Sequence, residues 1–61
     1  MRGDTIRKLR RLQELSQADL AKQIGISQSY LSYIESGKRT SSEEIIKKLI
    51  EEFYPSFKFI D

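Results

Sequence analysis

The chain contains no cysteine and no histidine. Disulfides, thiolate chemistry and the usual zinc ligands are thereby removed, and no metal or cofactor is expected. No apolar run approaches the roughly 20 residues of a membrane span, and the N-terminus shows no signal-peptide pattern, so a cytoplasmic protein without a membrane role is the expectation. A glycine-rich phosphate loop is absent too. Without it, and without His or Cys, general acid-base and metal chemistry lack their usual residues, so an enzyme is not expected and no small-molecule ligand is evident. Charge of one sign is also missing, since 11 Lys and Arg stand against 9 Asp and Glu for a net +2. That balance alone points to no nucleic acid. With 61 residues the chain is one small domain that buries only about 60% of its unfolded surface, and association with a second copy would help it.

What is present is concentrated in residues 17 to 37, QADLAKQIGISQSYLSYIESG. Counting from Gln17, a small residue stands fifth (Ala21), a glycine ninth (Gly25), and aliphatic residues fourth, eighth, tenth, fifteenth and eighteenth (Leu20, Ile24, Ile26, Leu31, Ile34). This spacing predicts two short helices joined by one tight turn, a helix-turn-helix. Two helices that cross steeply need a side chain no larger than a methyl at their closest point, and Ala21 supplies it. Gly25 ends the first of the pair by taking a left-handed conformation at no steric cost. Ser16 and Ser27 each precede a helix, where a hydroxyl oxygen can accept an orphan amide hydrogen. Gly37 closes the second helix, predicted from Gln28 to Ser36.

Two further helices complete an all-α reading. Asp4 is placed as the cap of a first helix from Thr5 to Glu14, with Ile6, Leu9 and Leu12 as its apolar stripe. The last helix is predicted after Ser41, with Glu44 three residues on as in a capping box, and with Ile46, Leu49, Ile50 and Phe53 facing the core. Glu43 with Lys47 and Glu44 with Lys48 suit surface pairs of about 0.2–0.5 kcal/mol each. Pro55 is expected to stop this helix. Residues 1–54 then form the domain and residues 55–61 an apolar tail, in which Phe57, Lys58 and Phe59 alternate as in a short strand. The tail either folds back over the first and last helices as a core plug or pairs with another copy. Tyr54, Phe57, Phe59 and Ile60 are the dimer-interface candidates.

With L-S-Q-A-D-L-A at 15 to 21, I-G-I-S-Q-S at 24 to 29 and Y-L-S-Y-I-E-S-G-K-R at 30 to 39, the chain resembles the helix-turn-helix domains of the phage repressor and Cro type, within the xenobiotic-response-element family of transcriptional regulators. The resemblance covers roughly residues 5 to 53. It implies a compact repressor-like domain, here with four helices where many relatives have a fifth, and a third helix that enters the major groove while the second crosses the backbone. It also implies a buried ion pair between Arg10 and Glu35, which stand on the flanks of the first and third helix stripes. The function implied is sequence-specific binding of double-stranded DNA, in the form of a repressor acting as a homodimer on a palindromic operator.

The outward face of the third helix carries Ser29, Ser32, Tyr33 and Ser36, with Gln28 at its exposed rim, and none of them is charged. Gln can hold adenine by two hydrogen bonds and Ser can give or accept one, so Gln28, Ser29, Ser32 and Tyr33 are the candidate base contacts. Gln17 at a helix N-terminus, Ser27, Tyr30, Lys38 and Arg39 are the candidate phosphate contacts. Tyr30 has a second reading, preferred here, in which its ring completes the core. In the basic run Arg2, Arg7, Lys8, Arg10 and Arg11, the residues Lys8 and Arg11 read as a solvated face. The alternative function is a protein-interaction module of the same fold, such as an antitoxin or anti-repressor partner.

Overall fold

Apolar residues spaced for one buried stripe per helix gather into a single core of Ile6, Leu9, Leu20, Ala21, Ile24, Leu31, Ile34, Ile45, Leu49 and Phe53, with Leu15, Ile26 and Tyr30 packed at its edge. The computed structural model describes the backbone of residues 1–57 and the side chains of residues 1–53. Four helices supply that core in chain order: α1 (Gly3–Leu12), α2 (Gln17–Ile24), α3 (Gln28–Glu35) and α4 (Glu43–Phe57). There is no strand among the described residues. Helix α2 packs on α3, α1 on α3 and α4, and α4 also on α2.

The middle pair forms as its caps dictate. Ser16 Oγ accepts from Asp19 N at 3.0 Å while the Asp19 carboxylate accepts from Ser16 N at 3.3 Å, a reciprocal capping box. Ser27 Oγ accepts from Tyr30 N at 3.1 Å. Ala21 is 2% exposed, as a close crossing requires. Gly25 (φ 75°) and Gly37 (φ 84°) turn left-handed behind α2 and α3. At each, the next amide reaches back five residues, Ile26 to Ala21 and Lys38 to Tyr33, both at 2.9 Å. Helix α3 therefore ends at Glu35, with Ser36 as its cap, one residue short of the sequence expectation.

Helix α1 departs from expectation at both ends. It begins at Gly3, and Asp4 lies inside the first turn, where it accepts from Thr5 N at 3.0 Å and pairs with Arg2 Nε at 3.4 Å. Gly3 makes the early start workable. A Cβ at this position would collide with the Ile34 carbonyl oxygen and stand 2.7 Å from that of Glu35, so the first turn of α1 rests directly on the end of α3. At the other end the helix stops at Leu12, and Glu14 takes a left-handed φ of 57°. Glu14 N bonds Arg11 O at 3.0 Å and Leu15 N bonds Arg10 O at 3.1 Å, the same closure as after α2 and α3 but without a glycine. This reversal turns Leu15 onto the core and leaves Leu12, expected inside, 56% exposed.

Helix α4 is capped by Ser42, not Ser41. Ser42 Oγ accepts from Ile45 N at 3.3 Å and its carbonyl from Ile46 N at 3.0 Å, while the Ser41 hydroxyl is turned inward, buried and unpartnered. The capping box with Glu44 is thus not formed. The core stripe is Ile45, Leu49 and Phe53, and Ile50 is 41% exposed. In this orientation Lys48 Nζ donates to the Ile24 carbonyl at 3.2 Å, so that side of α4 stands beside the end of α2. The expected pairs of Glu43 with Lys47 and Glu44 with Lys48 are absent among the described residues. Pro55 does not stop the helix, which crosses the 54/55 boundary and ends at Phe57. Proline has no amide hydrogen, so the carbonyl of the exposed Glu51 lacks its helical donor. Phe57 is accordingly helical and does not begin a strand. Of the dimer candidates, the side chains of Tyr54 and Phe57 and all of Phe59 and Ile60 lie outside the described residues.

A left-handed non-glycine residue carries a cost that glycine avoids. Glu14→Gly is expected to stabilise the domain by about 1 kcal/mol, roughly 4–8 °C in Tm for a chain of this size. A thermal melt that is unchanged or lower would show that position 14 is not held left-handed.

Candidate nucleic-acid interface

The turn between α2 and α3 holds the two helices so that the start of α2 stands beside the outer face of α3. Gln17, from the first position of α2, lines one shallow depression of about 310 Å³ together with Gln28, Ser29, Ser32 and Tyr33. The four candidate base contacts are thus one contiguous surface with a candidate phosphate contact at its edge. Gln28 and Ser29 are exposed, Ser32 is half-buried, and Tyr33 is 47% exposed. No charged side chain lines this depression.

Beside it, the loop after α3 gathers the cations. Tyr30, Lys38 and Arg39 line a second depression with Gly37 and Thr40. Lys38 Nζ stands 5.9 Å from the centre of the Tyr33 ring, within the range of a cation–π contact. Tyr30 is half-buried against the core and also borders this depression. Ser27 is exposed, but its hydroxyl oxygen already accepts from Tyr30 N as the helix cap. Lys8 and Arg11 are exposed on α1.

Beneath this surface lies the Arg10–Glu35 pair. Arg10 Nε and a terminal nitrogen donate to the two oxygens of Glu35 at 2.9 and 3.0 Å, a bidentate arrangement around a carboxylate with no exposed side-chain surface. Arg10 also donates to the Leu15 carbonyl at 2.9 Å and so ties down the reversal behind α1. Two members of this cluster escaped the sequence reading. Arg7 lies 3.5 Å from Glu35 Oε1 and donates to the Glu35 carbonyl at 3.4 Å, placing a cation at the negative end of α3. Gln17 donates from Nε2 to Glu35 Oε1 at 3.3 Å. Arg7 was legible as the residue one turn before Arg10 on the same face, whereas the role of Gln17 depends on the crossing of α2 over α3. Burial pushes the Glu35 carboxyl up, but hydrogen bonds from Arg10 and Gln17, the charge of Arg10 and the contribution of Arg7 outweigh it and hold the group below its ordinary value.

This architecture is that of a helix-turn-helix domain. The helix-turn-helix family of Cro/C1 type matches residues 6–53 by its sequence profile, and the chain belongs to that family. It is similar to an uncharacterized HTH-type transcriptional regulator of Archaeoglobus fulgidus, 42% identical over 48 residues that cover 79% of this chain and 21% of the relative. The chain therefore spans about a fifth of the length of the curated relative it matches. No solved structure gives a significant match.

Because Glu35 titrates lower in the folded than in the unfolded chain, its stabilisation is complete above the ordinary glutamate value of about 4.3 and is lost as pH falls from there through the lowered one. Glu35→Ala is expected to cost about 3–5 kcal/mol at neutral pH, since two arginines and an amide lose their acceptor. Denaturation by urea at pH 7 and over the acid range measures both. A variant as stable as the wild type would remove the cluster as a support of the fold.

Proposed function

We propose that this chain is a sequence-specific double-stranded DNA-binding domain of a transcription regulator, with α3 in the major groove and α2 across the backbone. The observation that carries the reading is the uncharged polar ridge of α3. Gln28, Ser29, Ser32 and Tyr33 share one surface, and the cations that a backbone would meet stand beside it rather than within it. A face built only for solvation would carry Lys or Glu, whereas short hydroxyls, an amide and a phenol suit close approach to base edges. Lys38 and Arg39 follow where the chain must pass the sugar-phosphate rail. The amides of Gln17 and Ala18, in the first turn of α2, offer donors to a phosphate on the other side. The likeness to an archaeal HTH-type transcriptional regulator supports this reading.

Within it, the regulator is a repressor working in the cytoplasm as a symmetric homodimer on a palindromic operator. Half-sites about 34 Å apart bring two copies of α3 into successive major grooves. Dimerisation would also relieve the small core of a 61-residue chain.

Base and backbone contacts have different signatures, which can be separated on a duplex enriched by the protein from a random pool. Gln28→Ala should lose about 1–3 kcal/mol on the enriched duplex and little on random DNA. Equal losses on both would show that Gln28 reads no base. Lys38→Ala should weaken binding to every sequence and lower the slope of log affinity against log salt by about one unit. A slope identical to that of the wild type would take Lys38 off the backbone.

A further inference from the structure

Gln17 belongs to two arrangements at once. Its side chain lines the depression beside Gln28 and Tyr33, and its Nε2 donates to Oε1 of the buried Glu35 at 3.3 Å. A carboxylate has no hydrogen to give, so only the nitrogen side of an amide can face it. The oxygen of the same planar amide then lies on the other side of Cδ, away from the carboxylate. Glutamines at a free surface turn over at little cost, but the reversed Gln17 would set its oxygen against an acceptor and leave Glu35 without a donor. Glu35 cannot swing aside to relieve this, because Arg10 holds both of its oxygens at 2.9 and 3.0 Å. Arg7, 3.5 Å from Oε1, closes the remaining side.

We infer that Glu35 is a positioning residue for DNA recognition: through its hydrogen bond it locks the Gln17 amide so that the carbonyl oxygen is presented to the DNA-facing depression as a fixed acceptor, with one N–H left over. The inference rests on the proposed reading of this face as a DNA surface. Its consequence is selective. Phosphate oxygens accept only, so a freely turning Gln17 would offer both amide hydrogens to the backbone of any sequence, whereas the locked amide rewards a donor in the depression and limits what a phosphate gains. Glu35 thus acts on the ratio of specific to random affinity as well as on folding.

The test must separate this from a structural role. A buried ion pair replaced on both sides by apolar residues can keep its fold, so the double variant Arg10→Met, Glu35→Leu removes the lock while retaining a packed core. Its affinities, and those of Gln17→Ala alone and combined with it, are measured on the enriched duplex and on random duplex. With a cooperative thermal transition retained, the double variant should lose at least fivefold in the ratio of the two affinities. Gln17→Ala should cost a similar factor in the wild type and less than twofold in the double variant. A folded double variant with the wild-type ratio, or an equal cost of Gln17→Ala in both backgrounds, overturns the inference. A second measurement needs no variant and no DNA. In the free wild-type protein the side-chain amide hydrogen of Gln17 that is bonded to Glu35 should exchange with solvent at least fivefold more slowly than those of the exposed Gln23 and Gln28. Equal rates would show that no lock exists. If the amide is locked but the protein prefers no duplex over random DNA, the DNA-binding proposal fails, and the role in recognition built on it fails as well.

Discussion

One buried carboxylate holds the first three helices in register. Glu35 closes α3, accepts Arg7 and Arg10 from α1, and takes the Gln17 amide from α2. A charge without exposed surface would be unfavourable alone, and a bidentate arginine with further donors makes it stable. The same few ångströms fix three other features. Gly3 lets the start of α1 touch the α3 carbonyls, Arg10 fastens the loop behind α1 through Leu15, and Arg7 answers the negative end of α3. The crossing of α2 over α3 is thereby referenced to α1, and the outer face of α3 acquires a defined aim.

That aim explains why a net charge of only +2 is compatible with the proposed DNA surface. A recognition surface needs its cations placed, and here they flank an uncharged ridge. Lys38 and Arg39 sit in the loop after α3, with Lys38 near the Tyr33 ring, while the exposed Glu43, Glu44, Glu51 and Glu52 belong to α4, which packs on α1 and α2. Summed over the chain the charges nearly cancel, yet the residues that would meet phosphate are not the ones doing the cancelling.

Much of this was legible in the residues. The boundaries of α2 follow from Ser16 and Gly25, the start of α3 from Ser27, and the outward set on α3 from helical periodicity. The failures have physical causes of their own. Glu14 occupies a left-handed position where glycine is the usual signal, so the local pattern carries α1 past its end and turns Leu12 inward. Two adjacent serines, 41 and 42, compete for one cap, and only the three-dimensional position of α4 shows which turns inward. The choice between Ile45 and Ile46 as core residue is nearly degenerate on a helical wheel, and only the packing of α4 on α1 and α2 separates them. Pro55 removes the donor for a carbonyl one turn earlier, yet α4 runs through it to Phe57, which the residue type alone does not announce. The Gln17 bond to Glu35 joins residues 18 positions apart, and no local pattern announces it.

Backbone amide shifts, followed by NMR as a duplex is added at low ionic strength, show directly which face of the domain meets DNA. The largest changes should fall on the start of α2 near Gln17, on residues 28 to 33 of α3 and on the loop through Lys38 and Arg39, with Glu43, Glu44, Glu51 and Glu52 unmoved. Changes confined to α1 and α4, or none at all, would rule out α3 as the DNA-reading helix.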